Sequence, residues 1–352
     1  MKPSNYGRRL VQHNDVLGFW HIPNHRVMCP TSMDETSKPY FIQTNSIGIR
    51  DTREFTLSIP SSHQRVILMG DSFAFGAGLN VESSFGHILE SKTSTEIMNF
   101  SLRSSGIDQQ YLIYKQIASN YEADTLLLAP YINNIARSSK INTYYQDHNG
   151  NHFEVPRPYF TLENGTLNLE NVPVPKPFKV DKTGSSDFSY ELSSNSFSKL
   201  YGKVRNQSFL NKLLLKVSST KLKYHFARYL PDLYPEYDGQ SQIWNLGKAI
   251  LNEFIESSKQ ENIVIAPLPP WSVIMKKGRP KYLDRFFELH NPSNGVHVID
   301  LHKYFRRLKF RNKIECFISP KDPHYSCYGN TVVAMALLRE MKSLGLLGAR
   351  SK

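Results

Sequence analysis

Cysteine is scarce in this chain: three residues in 352, at positions 29, 316 and 327. No pair forms a CxxC, and no His/Cys grouping has metal-ligand spacing, so neither a disulfide-built fold nor a zinc module is expected. No apolar run approaches the roughly 18 residues of a membrane span. The opening stretch, MKPSNYGRRLVQHND, is polar and lacks the apolar segment of a signal peptide, which makes cytoplasmic residence the expectation. No GK[ST] phosphate loop, zinc-finger spacing or RNA-binding aromatic motif occurs. A sequence-reading nucleic-acid binder is therefore not expected, and neither a cofactor nor a metal is called for. No internal repeat is evident.

The composition, 40% hydrophobic and 21% charged, is that of an ordered globular chain. The formal net charge is +12. Its excess gathers in two places. Between Lys199 and Leu230 lie Lys199, Lys203, Arg205, Lys212, Lys216, Lys221, Lys223 and Arg228 without one acidic residue. A second cluster is Lys303, Arg306, Arg307, Lys309, Arg311 and Lys313. Such faces attract anions, though a basic protein also carries them simply as solvated surface. Phe209, Leu210, Leu213, Leu214 and Val217 recur at helical spacing within the first cluster. An amphipathic basic helix can lie on a membrane surface or pack its apolar stripe on its own domain.

Short apolar runs alternate with helical patterns. RVILM (65–69), TEIMNF (95–100), DTLLLAP (124–130), NIVIAP (262–267) and VHVIDL (296–301) read as buried strands. Residues 81–92, 109–120, 244–257, 280–290 and 329–344 read as helices. This rhythm predicts an α/β fold with a mostly parallel sheet covered on both faces. Three parts follow: an N-terminal extension over 1–62 packed on the core, a catalytic domain from 63–136 and 239–348, and an insertion over 137–238. The insertion is expected to be irregular and proline-punctuated first, then helical and basic.

Chemistry in such sheets sits beyond the carboxyl ends of the strands. Ser72 follows the first strand at once, in MGDSFAFGAG. A hydroxyl there can be presented on a tight strand-to-helix turn, beside helix-start N–H groups able to hold an oxyanion; the plainer role is a helix cap. A serine needs a base to become a nucleophile. Of twelve histidines, His324 stands out, in SPKDPHYSCYGN just ahead of the last helix and two residues after Asp322. A carboxylate beside an imidazole fixes its tautomer, while a lone D-P-H also reads as a polar turn. Asn133, at the end of an apolar run in YINNIA, carries an amide suited to an oxyanion. Gly106, in RSSGIDQQ, offers an unobstructed N–H. Each of these two is equally at home in an ordinary turn.

Taken together, these blocks resemble the SGNH hydrolases, the GDSL-type esterase and lipase family. The matching stretches are RVILMGDSFAFGAGL (65–79), NFSLRSSGIDQQ (99–110), LLLAPYINNIA (126–136) and PKDPHYSCYGN (320–330). The resemblance implies a three-layer α/β/α sandwich of flavodoxin-like topology and acyl transfer through a serine ester. Ser72 would be the nucleophile, His324 the base and Asp322 its carboxylate, with the Ser72 and Gly106 N–H groups and the Asn133 amide as oxyanion hole. Two departures stand out. Asn134 occupies a position usually held by Asp, so a structural carboxylate is expected to be missing. The final block reads Asp-Pro-His rather than Asp-x-x-His, so the Asp322–His324 contact is expected to be weakened. The lead segment, GFWHIPN then TNSIGIRD, resembles a bacterial branch associated with glycan modification. That implies a small-molecule or glycan ester as partner, most simply an O-acetylated carbohydrate. O-acyl transfer to a glycan hydroxyl, or a silent SGNH-like binding protein, are the alternatives.

Overall fold

In a computed structural model, residues 10–29, 39–60, 63–146, 151–180, 234–238, 241–276, 278–319 and 322–347 are described. The lead segment is built from two antiparallel hairpins. The first pairs β1 (Val11–Asn14) with β2 (Gly18–His21), and the second pairs β3 (Arg26–Cys29) with β4 (Tyr40–Gln43). β3 and β4 alternate exposed and buried residues, and their inward side chains form a small cluster of Val27, Cys29, Tyr40, Ile42, Leu10 and Phe75. Leu17, Trp20 and Ile49 join the main core instead.

The first strand of that core is β5 (Gln64–Gly70), followed without a gap residue to spare by the single turn α1 (Ser72–Phe75). Then come α2 (Phe85–Ser91), β6 (Thr95–Asn99), α3 (Ile107–Gln116), β7 (Thr125–Ala129) and the short α4 (Asn134–Arg137). Residues 137–180 differ from the irregular segment expected of them. They form β8 (Asn142–Gln146), β9 (His152–Pro156), β10 (Tyr159–Glu163), β11 (Thr166–Glu170) and β12 (Phe178–Val180). β12, β9 and β8 make one antiparallel sheet, and β10 with β11 make a hairpin. These strands are mostly half-exposed, so they carry no apolar run that would betray them. The basic amphipathic stretch 196–230 lies outside the described residues.

The α/β rhythm resumes with α5 (Gln242–Glu256), β13 (Asn262–Ile265), α6 (Trp271–Ile274), α7 (Lys281–Phe287), β14 (Val296–Val298), α8 (His302–Arg306), α9 (Phe310–Glu315) and α10 (Cys327–Ser343). The central sheet has five strands, all parallel, in the order β14-β13-β7-β5-β6. Counted along the chain this is the 2-1-3-4-5 order of flavodoxin-like folds. The helices fall into two packed groups, α2 with α10 and α3 and α4 with α5, as expected when crossovers cover both faces of a parallel sheet. Val66, Ile67, Leu68 and Met69 are all buried, because β5 is central and sealed on both sides. Each such side chain contributes about 1.5–3 kcal/mol by leaving water. Asn330 ties two of the helices together by accepting from the Phe85 N–H at 3.0 Å.

The order reverses between β5 and β7, with β6 on the far side of β5. Ligand crevices in open α/β sheets lie beyond the carboxyl ends of the strands at such a switch point. Ser72, Gly106 and Asn133 all follow carboxyl ends of these three strands.

Candidate active site

The strand-to-helix turn after β5 is fixed by Asp71 rather than by Ser72. Asp71 is the N-cap of α1, and its Oδ1 accepts the Phe73 N–H at 3.0 Å. Gly76 closes this one-turn helix in the left-handed region at φ 75°, where glycine carries no Cβ penalty. Ser72 is therefore released from capping, the plainer role its sequence context allowed. Its own oxygen meets another partner: Ser72 Oγ lies 2.8 Å from His324 Nε2.

His324 arrives from the other end of the chain on a tight loop. Phe317 and Tyr325 form an antiparallel bridge, Ile318 N–H donates to the His324 carbonyl, and Ser319 and Asp322 exchange backbone hydrogen bonds. Asp322-Pro323-His324 forms the returning arm of this loop. Asp322 Oδ1 accepts from His324 Nδ1 at 2.6 Å and from the His324 N–H at 3.2 Å. The expectation that the shortened D-P-H spacing weakens this contact is not met. Pro323 favours an extended backbone at Asp322, and the carboxylate then folds forward over the two-residue step. Since a carboxylate only accepts, Nδ1 carries the ring proton and Nε2 presents its lone pair to the Ser72 hydroxyl. Burial by itself would raise the Asp322 pKa, but the hydrogen bond and charge of His324 outweigh it and hold the carboxyl below the ordinary carboxylate range. The His324 ring packs against Phe73, centroids 4.8 Å apart, and Phe73 in turn stacks on Tyr131 at 4.0 Å. The imidazole is thus held by a hydrogen bond on each nitrogen and an aromatic face.

Gly106 is the N-cap of α3. A Cβ there would lie 2.3 Å from Asp108 Oδ1 and 2.7 Å from the Ser138 backbone nitrogen, so no larger residue fits the turn. Among the described residues, no protein acceptor takes the Ser72 or Gly106 N–H, and no protein group bonds the Asn133 amide. Asn133 is the N-cap residue of α4 and is half-buried.

Its neighbour Asn134 does something the sequence did not foretell. The side chain is fully buried, and Oδ1 accepts from Tyr131 N–H at 2.9 Å and Gln110 Nε2 at 3.1 Å. Nδ2 donates to Asp71 Oδ2 at 3.0 Å. Arg137, one turn along, donates to the same oxygen at 2.6 Å. The carboxylate missing at 134 is replaced by an amide that serves the buried carboxylate of Asp71. This network pins the residue before Ser72 to α3 and α4. Only a non-local view could find it, although the i, i+3 pair Asn134/Arg137 was a faint signal.

The lead segment also reaches the site. Arg50 is buried and donates to the carbonyls of Phe75 and Gly76, both at 2.8 Å, and to those of Phe41 and Leu79. Burial lowers its pKa to about 10, which leaves it charged at neutral pH. His21 lies against the Phe75 ring at 5.2 Å and is held neutral, its pKa lowered by burial to about 3.

No protein-family model and no curated protein matches the sequence. Among solved structures the chain is similar to a member of the lipolytic protein G-D-S-L family from Veillonella parvula, at 10% identity and a TM-score of 0.38, over 79% of this chain and 98% of that one. It is similar to a lipase/acylhydrolase from Enterococcus faecalis at 11% identity and a TM-score of 0.38, over 82% and 100%. An acetylxylan esterase from Geobacillus stearothermophilus gives 10% identity and a TM-score of 0.38, over 79% and 94%. The assignment of the α/β sandwich rests on the order and direction of the strands.

Of the second basic cluster, Lys303, Arg306 and Arg311 pair with Glu340, Asp300 and Glu315, and Lys313 donates to the Ile274 carbonyl. Part of its charge is thereby neutralised. Among the described residues no helix is long and apolar enough to cross a membrane.

Proposed function

We propose that the chain is a serine-dependent ester hydrolase of the SGNH kind. The observation that carries this reading is the continuous hydrogen-bonded chain Ser72–His324–Asp322, at 2.8 and 2.6 Å. A silent relative would have no need to keep a hydroxyl, an imidazole and a carboxylate in that order and tautomer.

The steps follow from the geometry. Ser72 Oγ attacks the ester carbonyl as its proton passes to His324 Nε2. The imidazolium forms with its Nδ1–H still on the Asp322 carboxylate. The carbonyl electron pair moves to oxygen, where the Ser72 and Gly106 N–H groups and the Asn133 amide stabilise it; loss of one such donor typically costs about 3–4 kcal/mol in barrier. The tetrahedral species collapses, and the alcohol departs with the proton from Nε2. Water then attacks the acyl-serine with His324 again as base, which releases the carboxylic acid and restores Ser72.

For the substrate we favour an O-acyl group, most simply acetyl, on a carbohydrate, on the strength of the lead segment's resemblance. An alcohol in place of water would make the same residues a transferase. The test is turnover of acetylated sugars by purified protein, with Ser72→Ala as control. Loss of turnover with a preserved fold is expected. Near-normal hydrolysis by Ser72→Ala would remove the assignment, and faster acyl-serine discharge with added sugar than with water would redirect it to transfer.

A further inference from the structure

The three oxyanion donors of the ester-hydrolase reading, at Ser72, Gly106 and Asn133, follow the ends of three different strands, β5, β6 and β7. Such donors act together only when they aim at one point, and a misplacement of about 1 Å is costly. The side chain of Asn134, backed by Arg137, is bonded to all three segments.

Asn134 Nδ2 donates to Asp71 Oδ2 at 3.0 Å and to the Ser105 carbonyl at 3.4 Å. Arg137 Nη1 donates to the same two acceptors, at 2.6 and 3.5 Å. Asp71 and Ser105 are the residues immediately before Ser72 and Gly106. Asp71 Oδ1 takes the Phe73 N–H and the Asp71 carbonyl takes the Phe75 N–H, so a grip on this carboxylate holds the turn that carries the Ser72 N–H. The link to Gly106 is more direct. The Ser105 carbonyl and the Gly106 N–H are opposite ends of one planar trans peptide. Whatever holds the carbonyl aims the N–H. A guanidinium beside that carbonyl also polarises the peptide and strengthens its N–H as a donor. In the third segment, Asn134 Oδ1 accepts the Tyr131 N–H at 2.9 Å and the Asn134 N–H donates to the Tyr131 carbonyl at 2.8 Å. These two bonds close the turn that contains Asn133.

We propose that Asn134 and Arg137 are positioning residues that hold the Ser72, Gly106 and Asn133 donors in register. The inference rests on the ester-hydrolase reading and deepens it. It also gives a reason for an amide at 134. A carboxylate there could accept from Tyr131 and Gln110, but it could not donate to Asp71 or Ser105.

The test exploits the contrast between oxygen and sulfur, because N–H donors bond a developing oxyanion far better than its sulfur counterpart. The quantity measured is kcat/KM for 4-nitrophenyl acetate divided by that for its thiono analogue, in which sulfur replaces the carbonyl oxygen. Wild-type protein is expected to favour the oxo ester more strongly than hydroxide ion does. Arg137→Ala removes one arm of the clasp at a side chain that is 24% exposed. It is expected to lower the ratio on the order of tenfold, mainly through kcat for the oxo ester, short of the roughly 10²–10³-fold cost of losing a donor outright. Arg137→Lys is expected to restore part of the ratio. A role in stability alone would slow both esters alike. An unchanged ratio in folded Arg137→Ala therefore overturns the inference, as does a wild-type ratio no larger than that of hydroxide. Should Arg137→Ala fail to fold in thermal melting, Arg137→Gln, which keeps a donor without the charge, is judged by the same ratio. A wild type that hydrolyses neither ester, or a Ser72→Ala variant as active as wild type, would count against the ester-hydrolase reading instead.

Discussion

Asp322→Asn is the substitution that isolates what the carboxylate contributes. Asparagine keeps the shape of the side chain and removes only its charge. Two effects follow. First, the imidazolium formed during attack loses a counter-charge held by a 2.6 Å contact whose side chains are 25% and 11% exposed. Unit charges about 4 Å apart in a protein environment of effective dielectric near 20 interact by about 4 kcal/mol. Second, an amide can turn its NH2 toward Nδ1, which moves the ring proton to Nε2 and points a donor at Ser72 where an acceptor is needed. The first effect alone lowers kcat by about 10³-fold, and the two together by about 10³–10⁴-fold. The assay is steady-state hydrolysis of 4-nitrophenyl acetate by folded Asp322→Asn, with thermal melting to verify the fold. A kcat within tenfold of wild type would mean that the carboxylate does not support the base, and the reasoning would fail.

Asn134→Asp sets a second carboxylate where the Asn134 Nδ2 stands 3.0 Å from Asp71 Oδ2. It is expected to cost about 3 kcal/mol or more at pH 7 through the lost charge-assisted bond and like-charge contact. The loss should partly recover near pH 5, where one of the pair takes a proton; urea melts that match wild type at both pH values would contradict this. Burial pushes Glu236 up to about 7. Between pH about 4.5 and 7 the unfolded chain gives up this proton while the folded one keeps it, so stability declines as pH rises. The decline is up to about 1.4 kcal/mol per unit and about 3 kcal/mol across the window. Glu236→Gln is expected to flatten that slope in urea unfolding, and an identical slope in both proteins would count against it.

The central sheet was legible because its strands are buried on both faces. RVILM, DTLLLAP and NIVIAP are apolar runs of the kind a covered parallel strand carries, and the first two end three residues before Ser72 and Asn133. The hairpins of the lead segment were not legible. β3 and β4 are four residues each and half-exposed, so their period-two signal is too short to separate from an ordered turn. The strands between 142 and 180 were hidden for a related reason: their prolines and polar side chains suit exposed edges as well as they suit loops.

At the site, the local turn chemistry that presents Ser72 and His324 could be read from neighbouring residues. The clasp of Asp71 by Asn134 and Arg137, some sixty residues away, could not, because nothing in a single sequence reports which buried polar groups find each other. The same blindness explains why the D-P-H spacing pointed to a weak contact. Spacing along the chain does not say how the backbone folds in this loop, and there the Asp322 carboxylate reaches the ring at 2.6 Å.

The most direct measurement is the mass of the intact protein after exposure to a serine-directed phosphonate, followed by mapping of the modified peptide. One adduct per chain is expected, on Ser72, and none on Ser72→Ala or His324→Ala under the same conditions. An unmodified wild type, or equal labelling of wild type and Ser72→Ala, would contradict it.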